Sequence, residues 1–217
     1  MTLVECKAVL FDLDGTLVDS RECIDIAYQA WCDEHGLDLR EVLEKAHGRR
    51  TIDSVKLLVP HCDPLVEAQK LEDLECVAIK GLVAISGADA LLNNLLSTHW
   101  AIVTSGSRRL ASHRLSYCGI QAPPVFITAD DVTRGKPDPE GYKKAADMLG
   151  VAYEDCVVFE DAPAGIEAAR AAHMRSIAMP TTHALDALAD ADYRVLDLHK
   201  MRIEVNGTLR ILISDLA

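Results

Sequence analysis

The stretch KAVLFDLDGTLVDS, residues 7–20, gives the first indication of the fold. It begins with an apolar run that is typical of a buried strand, and Asp12 and Asp14 follow where this strand should end. A Gly-Thr turn comes next, and Gly15 lets the chain adopt a positive φ and approach a ligand closely. Two like charges at the end of a buried strand indicate a binding or catalytic site, although a D-x-D pair also occurs in ordinary loops.

Further short apolar runs are typical of fully buried strands, and helical patterns separate the later ones. The runs are WAIVTS, PVFIT, CVVFE and RSIAM, and the helical patterns cover residues 108–118, 139–149 and 164–172. Strands that alternate with helices predict βαβ units. We therefore predict an α/β fold with a Rossmann-like parallel sheet as its core and helices on both faces.

A helical insert separates the first strand from the others. From about Asp19 to Lys80 no strand-like run occurs, and the apolar spacing there is that of amphipathic helices. We predict a small α-helical cap domain over residues 18–82, inserted into a core made of residues 1–17 and 83–217. An insert placed just after a carboxylate at a strand end can cover that end as a lid.

The tail MRIEVNGTLRILI, residues 201–213, predicts a β-hairpin. Asn206-Gly207 between two alternating runs is the signature of a type I′ turn. We expect the hairpin to be structural, extending or covering a sheet edge.

The composition excludes several classes of function. The chain has 217 residues, 49% of them apolar, which is enough for a sizeable core. The net charge is −12, and such a surface repels nucleic acid and anionic membranes. Seven irregularly spaced cysteines favour reduced thiols over a disulfide framework or a zinc site. With neither a signal peptide nor a membrane span in the sequence, we expect a cytoplasmic monomer without nucleic-acid or membrane partners.

Polar residues gather at the carboxyl ends of the predicted strands, where open parallel sheets bind their ligands. These residues are Asp12, Asp14, Thr16, Thr104, Ser105, Gly106, Ser107, Lys136, Glu160 and Asp161. Carboxylates from two strands suit a hard cation such as Mg²⁺, and a lysine with a hydroxyl suits a phosphate group. Each signal has an ordinary alternative; Glu160 and Asp161, for example, also suit the N-terminus of a helix.

Four motifs, with a helical insert after the first, carry a family resemblance. They are DLDGTLVDS, VTSGS, RGKPDPEGY and VFEDAPAGIEAA, and they span Asp12 to Ala169. In this order they resemble the haloacid dehalogenase (HAD) superfamily. Within it the sequence is similar to the sugar phosphatases of the β-phosphoglucomutase-like branch, and most like the hexitol and 2-deoxyglucose-6-phosphate phosphatases.

The resemblance implies a role for each matching residue. Asp12 would be the nucleophile that forms an aspartyl phosphate, and Asp14 the general acid and base. The implied phosphate-binding residues are Ser105, Gly106 and Lys136. The implied Mg²⁺ ligands are the carboxylates of Asp12 and Asp161, the backbone carbonyl of Asp14, and Glu160 directly or through water.

Elementary chemistry agrees with these roles. A carboxylate is ionised at neutral pH and needs no base to become a nucleophile, while Mg²⁺ and Lys136 would offset its repulsion from phosphate. A second acid moves protons in phosphoryl transfer, but a dehalogenase does not need it. Asp14 therefore favours phosphoryl transfer over dehalogenation.

Substrate choice is expected to lie in the insert, because the core carries only phosphate chemistry. The polar stretch AHGRRTIDS, residues 46–54, interrupts the helical cap and offers His47 and Arg50 as substrate contacts, unless it is a solvated loop. Arg108 is a third candidate. We predict Mg²⁺-dependent hydrolysis of small phosphorylated sugars or sugar alcohols. A phosphosugar mutase shares every motif, and a non-catalytic protein on this fold would typically lack an acid of the first motif.

Overall fold

The computed structural model describes residues 1–206 and 208–214. Its strands are β1 (Thr2–Cys6), β2 (Ala8–Phe11), β3 (Val18–Asp19), β4 (Val83–Ala84), β5 (Trp100–Val103), β6 (Phe126–Ile127), β7 (Cys156–Glu160), β8 (Arg175–Ala178), β9 (Tyr193–Arg194), β10 (Met201–Asn206) and β11 (Thr208–Ile213). Its α-helices are α1 (Arg21–His35), α2 (Leu39–Ala46), α3 (Thr51–Leu58), α4 (Pro64–Val77), α5 (Ala88–Leu92), α6 (Arg108–Tyr117), α7 (Glu140–Leu149) and α8 (Pro163–Ala171).

The core is built on a parallel sheet of six strands in the order β6-β5-β2-β7-β8-β9. All residues of β2, β5 and β7 are buried, which explains their almost continuous apolar sequences. The helices α6, α7 and α8 each connect one strand of this sheet to a later one. The predicted α/β class with a Rossmann-like parallel sheet is confirmed.

The register of the sheet brings the carboxyl ends of its central strands level. Phe11 pairs with Ile102 of β5 and with Phe159 of β7. Asp12 follows Phe11 and Glu160 follows Phe159, so these two acids lie side by side at the ends of neighbouring strands. The backbone N–H of Asp12 also donates to the Phe159 carbonyl at 2.9 Å, which extends the pairing to the end of β2.

The helices α1 to α4 form the cap, inserted between β3 and β4. Val18 pairs with Ala84 and Asp19 with Val83, so the two chain crossings form a short antiparallel ladder. Trp31 is fully buried inside the cap, and its indole Nε1 donates to Glu67 at 2.9 Å. The inserted helical cap is confirmed, while the division at residues 18 and 82 stays a prediction.

The polar interruption of the cap is shorter than the sequence predicts. The helix α3 begins at Thr51, so only residues 47–50 lie between α2 and α3. The carbonyl of Arg50 accepts the N–H of Ser54 at 3.1 Å, and the Arg50 guanidinium pairs with Asp53 at 2.7 Å. Because this ion pair joins residues three apart, it stabilises the first turn of a helix that polarity alone does not predict.

The C-terminal strands form a separate sheet. β10 and β11 pair in antiparallel fashion, with Met201 opposite Ile213, and β1 pairs with the other edge of β11. The hairpin therefore builds a sheet of its own with the N-terminal strand instead of extending the main one. Gly207, the predicted turn residue, lies outside the described residues. Among the helices that the structure describes, none combines the length and the apolar character needed to cross a membrane.

Candidate active site

The loop after β2 presents the two acids of the first motif. Asp12 is buried, and the turn after Asp14 is closed by a hydrogen bond from the Gly15 N–H to the Val18 carbonyl at 2.8 Å. Gly15 has a φ of 80°, and a Cβ there would overlap the carboxylate of Asp161. Glycine is required because this turn combines left-handed backbone with close contact to a second acid.

Lys136 joins the first acid to the acids of β7. Its buried ammonium lies 2.5 Å from Asp12 Oδ1 and 2.6 Å from Glu160 Oε1. Burial opposes the charge, but the two carboxylates outweigh it, so the pKa of Lys136 is raised. The lysine therefore stays cationic beside Asp12, as its predicted role requires.

The carboxylate of Glu160 is held by four donors. Oε1 accepts from Lys136 and from the Tyr142 hydroxyl at 2.7 Å, and Oε2 accepts the N–H groups of Asp161 at 3.1 Å and Ala162 at 3.2 Å. Because the Glu160 carboxylate is itself held by these donors, it helps to fix the position of the Lys136 ammonium. Its predicted contact with a metal, directly or through water, stays a prediction.

Gly165 in α8 leaves room for this carboxylate. A Cβ there would overlap Glu160. In a helix interior, alanine normally gives a more stable fold than glycine by about 0.5–1 kcal/mol. Here the added methyl group would overpack a filled site, which costs about 1–3 kcal/mol. Gly165→Ala is therefore expected to lower the free energy of unfolding, which urea unfolding measures. It should also reduce turnover, which an activity assay measures, because the methyl group would displace Glu160 and with it Lys136.

Gly36→Ala is the control for this prediction. Unlike Gly165, Gly36 has a left-handed φ, of 65°, and a Cβ there meets nothing within 4 Å. The control should lose some stability through backbone strain and keep its activity. If Gly165→Ala were as active as the original protein, the close fit between Gly165 and Glu160 would have no catalytic consequence.

Three buried carboxylates meet at this point with a single lysine. Asp12, Glu160 and Asp161 each place an oxygen within 4.8 Å of the others. Burial raises the pKa of Asp12 well above its usual range, against the effect of Lys136, and burial with the charge of Glu160 raises the pKa of Asp161. Uncompensated negative charge on hard oxygen donors fits a divalent cation such as Mg²⁺.

Asp161 is oriented by a threonine that the sequence analysis missed. The hydroxyl of Thr182 donates to Asp161 Oδ2, and the neighbouring Thr181 hydroxyl donates to the Gly15 carbonyl. Both threonines follow β8, whose carboxyl end carries no charged motif. The position of two hydroxyls after a buried strand was the only available signal.

Asp14 is held by a different set of partners. Its Oδ1 accepts from the Ser20 hydroxyl at 2.7 Å and lies 2.9 Å from Nη1 of Arg114. Arg114 is buried on α6, and its Nη2 lies 2.5 Å from Glu75 of the cap. Sequence reasoning missed both residues. The sequence does contain one indication of the arginine: position 114 is charged although it lies on the same helix face as Leu110 and Leu115.

The loop after β5 contacts the cap. Ser105 Oγ donates to the Gly48 carbonyl at 2.8 Å, and the Gly106 N–H donates to Thr104 Oγ1 at 3.1 Å. All three residues after β5 line the same cleft as Asp12 and Asp14. Their predicted contact with phosphate stays a prediction.

The predicted substrate contacts separate into two groups. His47 lines the cleft, and its ring lies 5.5 Å from that of His183 on the core side. Arg50 and Arg108 are not among the cleft-lining residues. Nη1 of Arg50 donates to the Val132 carbonyl at 3.0 Å, and Nη2 of Arg108 donates to the Phe126 carbonyl at 2.8 Å and pairs with Asp131. Both guanidinium groups are occupied by these local partners instead.

A cleft between cap and core opens to solvent above the acids of the strand ends. Its lining combines the acids with apolar and polar side chains from the cap, among them Ile24, Tyr28, Ala46, His47, Arg49, Thr51 and Glu75. Residues of both the cap and the core therefore face the cleft beside Asp12 and Asp14.

Several known proteins are similar to this chain in sequence. The family model for haloacid dehalogenase-like hydrolases matches residues 6–173. Hexitol phosphatase A of Escherichia coli is 40% identical over 215 residues, which are 96% of this chain and 100% of that protein. 2-Deoxyglucose-6-phosphate phosphatase 2 of Saccharomyces cerevisiae is 35% identical, over 94% of this chain and 93% of that protein.

A solved structure agrees with the fold. β-Phosphoglucomutase from Clostridium difficile superposes with a TM-score of 0.78, covering 91% of this chain and 93% of that one, at 23% identity. This likeness concerns the fold alone. Taken with the family match over most of the chain, it leads to one conclusion: the protein belongs to the haloacid dehalogenase-like hydrolase family.

Proposed function

We propose that this hydrolase releases phosphate from small phosphorylated sugars or sugar alcohols, with Mg²⁺ and through a phosphorylated Asp12. The observation that carries the proposal is the convergence of Asp12, Lys136 and Asp161 beside the cleft between cap and core. The names of the relatives support the substrate class. One is a hexitol phosphatase and the other a phosphatase of 2-deoxyglucose 6-phosphate.

The reaction takes two steps. A carboxylate oxygen of Asp12 attacks phosphorus, and the bond from phosphorus to the leaving oxygen breaks. The electron pair of that bond stays on the leaving oxygen, which takes a proton from Asp14. Asp14 then takes a proton from water as the water oxygen attacks phosphorus, and phosphate leaves with the Asp12 carboxylate restored.

Lys136 has a simple electrostatic role in both steps. Its ammonium, 2.5 Å from Asp12 Oδ1, offsets the repulsion between the Asp12 carboxylate and an anionic phosphate. We propose that Mg²⁺ is held by Asp12, Asp161, the Asp14 backbone carbonyl and Glu160. When bound, the ion would polarise the phosphoryl oxygens and neutralise charge that develops on them.

Mg²⁺ is expected to stabilise the fold. Because Asp12, Glu160 and Asp161 are buried together with one lysine, a divalent cation relieves their repulsion. At a free concentration of 100 times Kd, the gain is about 2.7 kcal/mol. Thermal unfolding should show a higher Tm with Mg²⁺ and its reversal by EDTA.

Two variants test where the cation binds. Asp161→Asn should show a much smaller rise in Tm with Mg²⁺, because it removes a buried carboxylate from the cluster. Asp186→Asn, which removes an exposed acid, should respond like the original protein. An unchanged Mg²⁺ response in Asp161→Asn would place the cation elsewhere.

Phosphate release from a substrate panel tests the function. The panel contains sugar, sugar-alcohol, glycolate and nucleotide phosphates, each with and without Mg²⁺. We expect Mg²⁺-dependent release that is fastest for a hexose or hexitol phosphate. Absence of release from every phosphomonoester would contradict the proposal.

The same panel separates a phosphatase from a mutase. Both relatives named as phosphatases are at least 35% identical, whereas the likeness to β-phosphoglucomutase is at the level of the fold. The phosphatase is therefore preferred. Interconversion of hexose phosphate isomers, primed by a bisphosphate and without net phosphate release, would reverse this preference.

The setting of the enzyme is also a proposal. We propose a cytoplasmic monomer that binds neither nucleic acid nor membranes, which rests on the net charge of −12 and on seven free thiols. Size-exclusion chromatography with light scattering tests the monomer, and the mass of a dimer would contradict it.

A further inference from the structure

Arg114 is a buried cation shared by two parts of the molecule. It lies on α6 of the core with 3% of its surface exposed. Its Nη1 is 2.9 Å from Asp14 in the loop after β2, and its Nη2 is 2.5 Å from Glu75 on α4 of the cap. One planar group thus connects the predicted acid of the reaction with the helix that covers it.

Stability alone does not explain this arrangement. Glu75 is 5% exposed, so both members of the pair are removed from water. Burial raises the pKa of Glu75, and Asp14 and Glu75 outweigh burial to raise the pKa of Arg114. Buried ion pairs are often no more stabilising than apolar residues of similar volume. A requirement other than stability is therefore needed to account for the three charges.

The contacts with Asp14 indicate what that requirement is. Arg114 Nη1 and the Ser20 hydroxyl both approach Oδ1. Among the described residues, no side chain donates a hydrogen bond to Oδ2. The carboxyl group is therefore anchored through one oxygen, while the other is left to exchange a proton in the cleft.

We propose that Arg114 is a positioning residue for Asp14, and that Glu75 makes this positioning depend on the docked cap. This inference rests on the proposed phosphatase function. Glu75 fixes Nη2, which orients the guanidinium plane and so directs Nη1 at Oδ1. The oxygen Oδ2 then faces the leaving oxygen, and its proton moves there as the bond to phosphorus breaks.

A second ion pair joins the same two helices and serves as a matched control. Nη2 of Arg109 lies 2.5 Å from Asp73, so this pair also connects α6 with α4. Both side chains are at least half exposed, and neither contacts Asp14. If Arg114 only clamps the cap to the core, the two pairs should behave alike.

The test compares two esters of similar shape, 4-nitrophenyl phosphate and phenyl phosphate, in the presence of Mg²⁺. Nitrophenolate leaves without help from a proton, whereas phenolate is released faster when an acid protonates it. The value of kcat/KM reports the steps up to release of this leaving group. The variants are Arg114→Lys and Glu75→Gln, with Arg109→Gln and Asp73→Asn as controls.

We expect Arg114→Lys to lose about tenfold more kcat/KM with phenyl phosphate than with 4-nitrophenyl phosphate, a fraction of the roughly 10²–10⁴ that general acid catalysis supplies. Glu75→Gln should show the same selectivity in weaker form, since an amide still accepts from Arg114 without its charge. The control variants should show no difference between the two esters in the loss of kcat/KM.

The outcomes separate this inference from the proposed function. An equal loss with both esters, no loss with either, or the same selectivity in the controls would overturn the positioning role. Thermal unfolding shows whether the Arg114→Lys variant is folded. If it is not, the ratio of the kcat/KM losses with the two esters in Glu75→Gln decides whether the positioning role holds. If the unaltered protein released neither phenol, the phosphatase proposal would fail first.

Discussion

Asp12→Asn is expected to abolish phosphate release, by at least about 10⁴-fold, the scale on which removal of a nucleophile acts. An amide oxygen is not a useful nucleophile, and the change also removes a charged candidate metal ligand. The fold should survive. Asn has the same shape as Asp. The change removes the ion pair with Lys136, but it also removes the repulsion of Asp12 by Glu160 and Asp161, so the two effects on stability oppose each other.

Two measurements check this expectation. Phosphate release with Mg²⁺ gives the activity, and thermal unfolding shows that the variant is folded. Asp19→Asn is the control, because Asp19 is a nearby acid whose partner is the exposed Arg21. Substantial Mg²⁺-dependent turnover in Asp12→Asn would remove Asp12 from its role as the nucleophile.

Lys136→Met has the second largest expected effect, on both stability and activity. It leaves Asp12 and Glu160 buried without their cation, and breaking a buried pair from one side costs about 3–5 kcal/mol. Turnover should fall by roughly 10²–10³, as when one stabilising donor is removed from an active site. Urea unfolding and phosphate release measure the two effects.

Lys7→Met provides a matched comparison. Lys7 pairs with Asp155 at 2.7 Å, but its side chain is 61% exposed. Removing such a surface pair should lower the free energy of unfolding far less than Lys136→Met does, because water solvates both charges. If the two lysine variants lost the same stability, the buried position of Lys136 would not carry the effect assigned to it.

The sequence was sufficient to predict the sheet and the residues at its strand ends. Every residue of β5 and β7 is buried, and all of them except Glu160 at the end of β7 are apolar. Parallel topology brings the carboxyl ends of these strands to one edge of the sheet. That is why Asp12, Lys136 and Asp161 could be placed together from the sequence. Asp12 directly follows β2 and Asp161 directly follows β7, whereas Lys136 lies in the longer loop after β6.

The contacts made by long side chains were not predictable in the same way. Arg50 and Arg108 looked available for a substrate, yet each found a carbonyl and a carboxylate nearby. Arg114 looked like one more charge on a helix, yet it is buried beside Asp14. A flexible chain reaches several partners, and only the packed cap and core decide among them.

The ladder between Val18 and Ala84 has a consequence for how such enzymes diversify. Because the chain leaves the core and returns to it through paired neighbours, the ends of the insert are held together whatever lies between them. A lineage can lengthen, shorten or replace the covering helices while the strands below keep their register. Phosphoryl transfer and substrate choice are therefore able to evolve as separate traits within one gene.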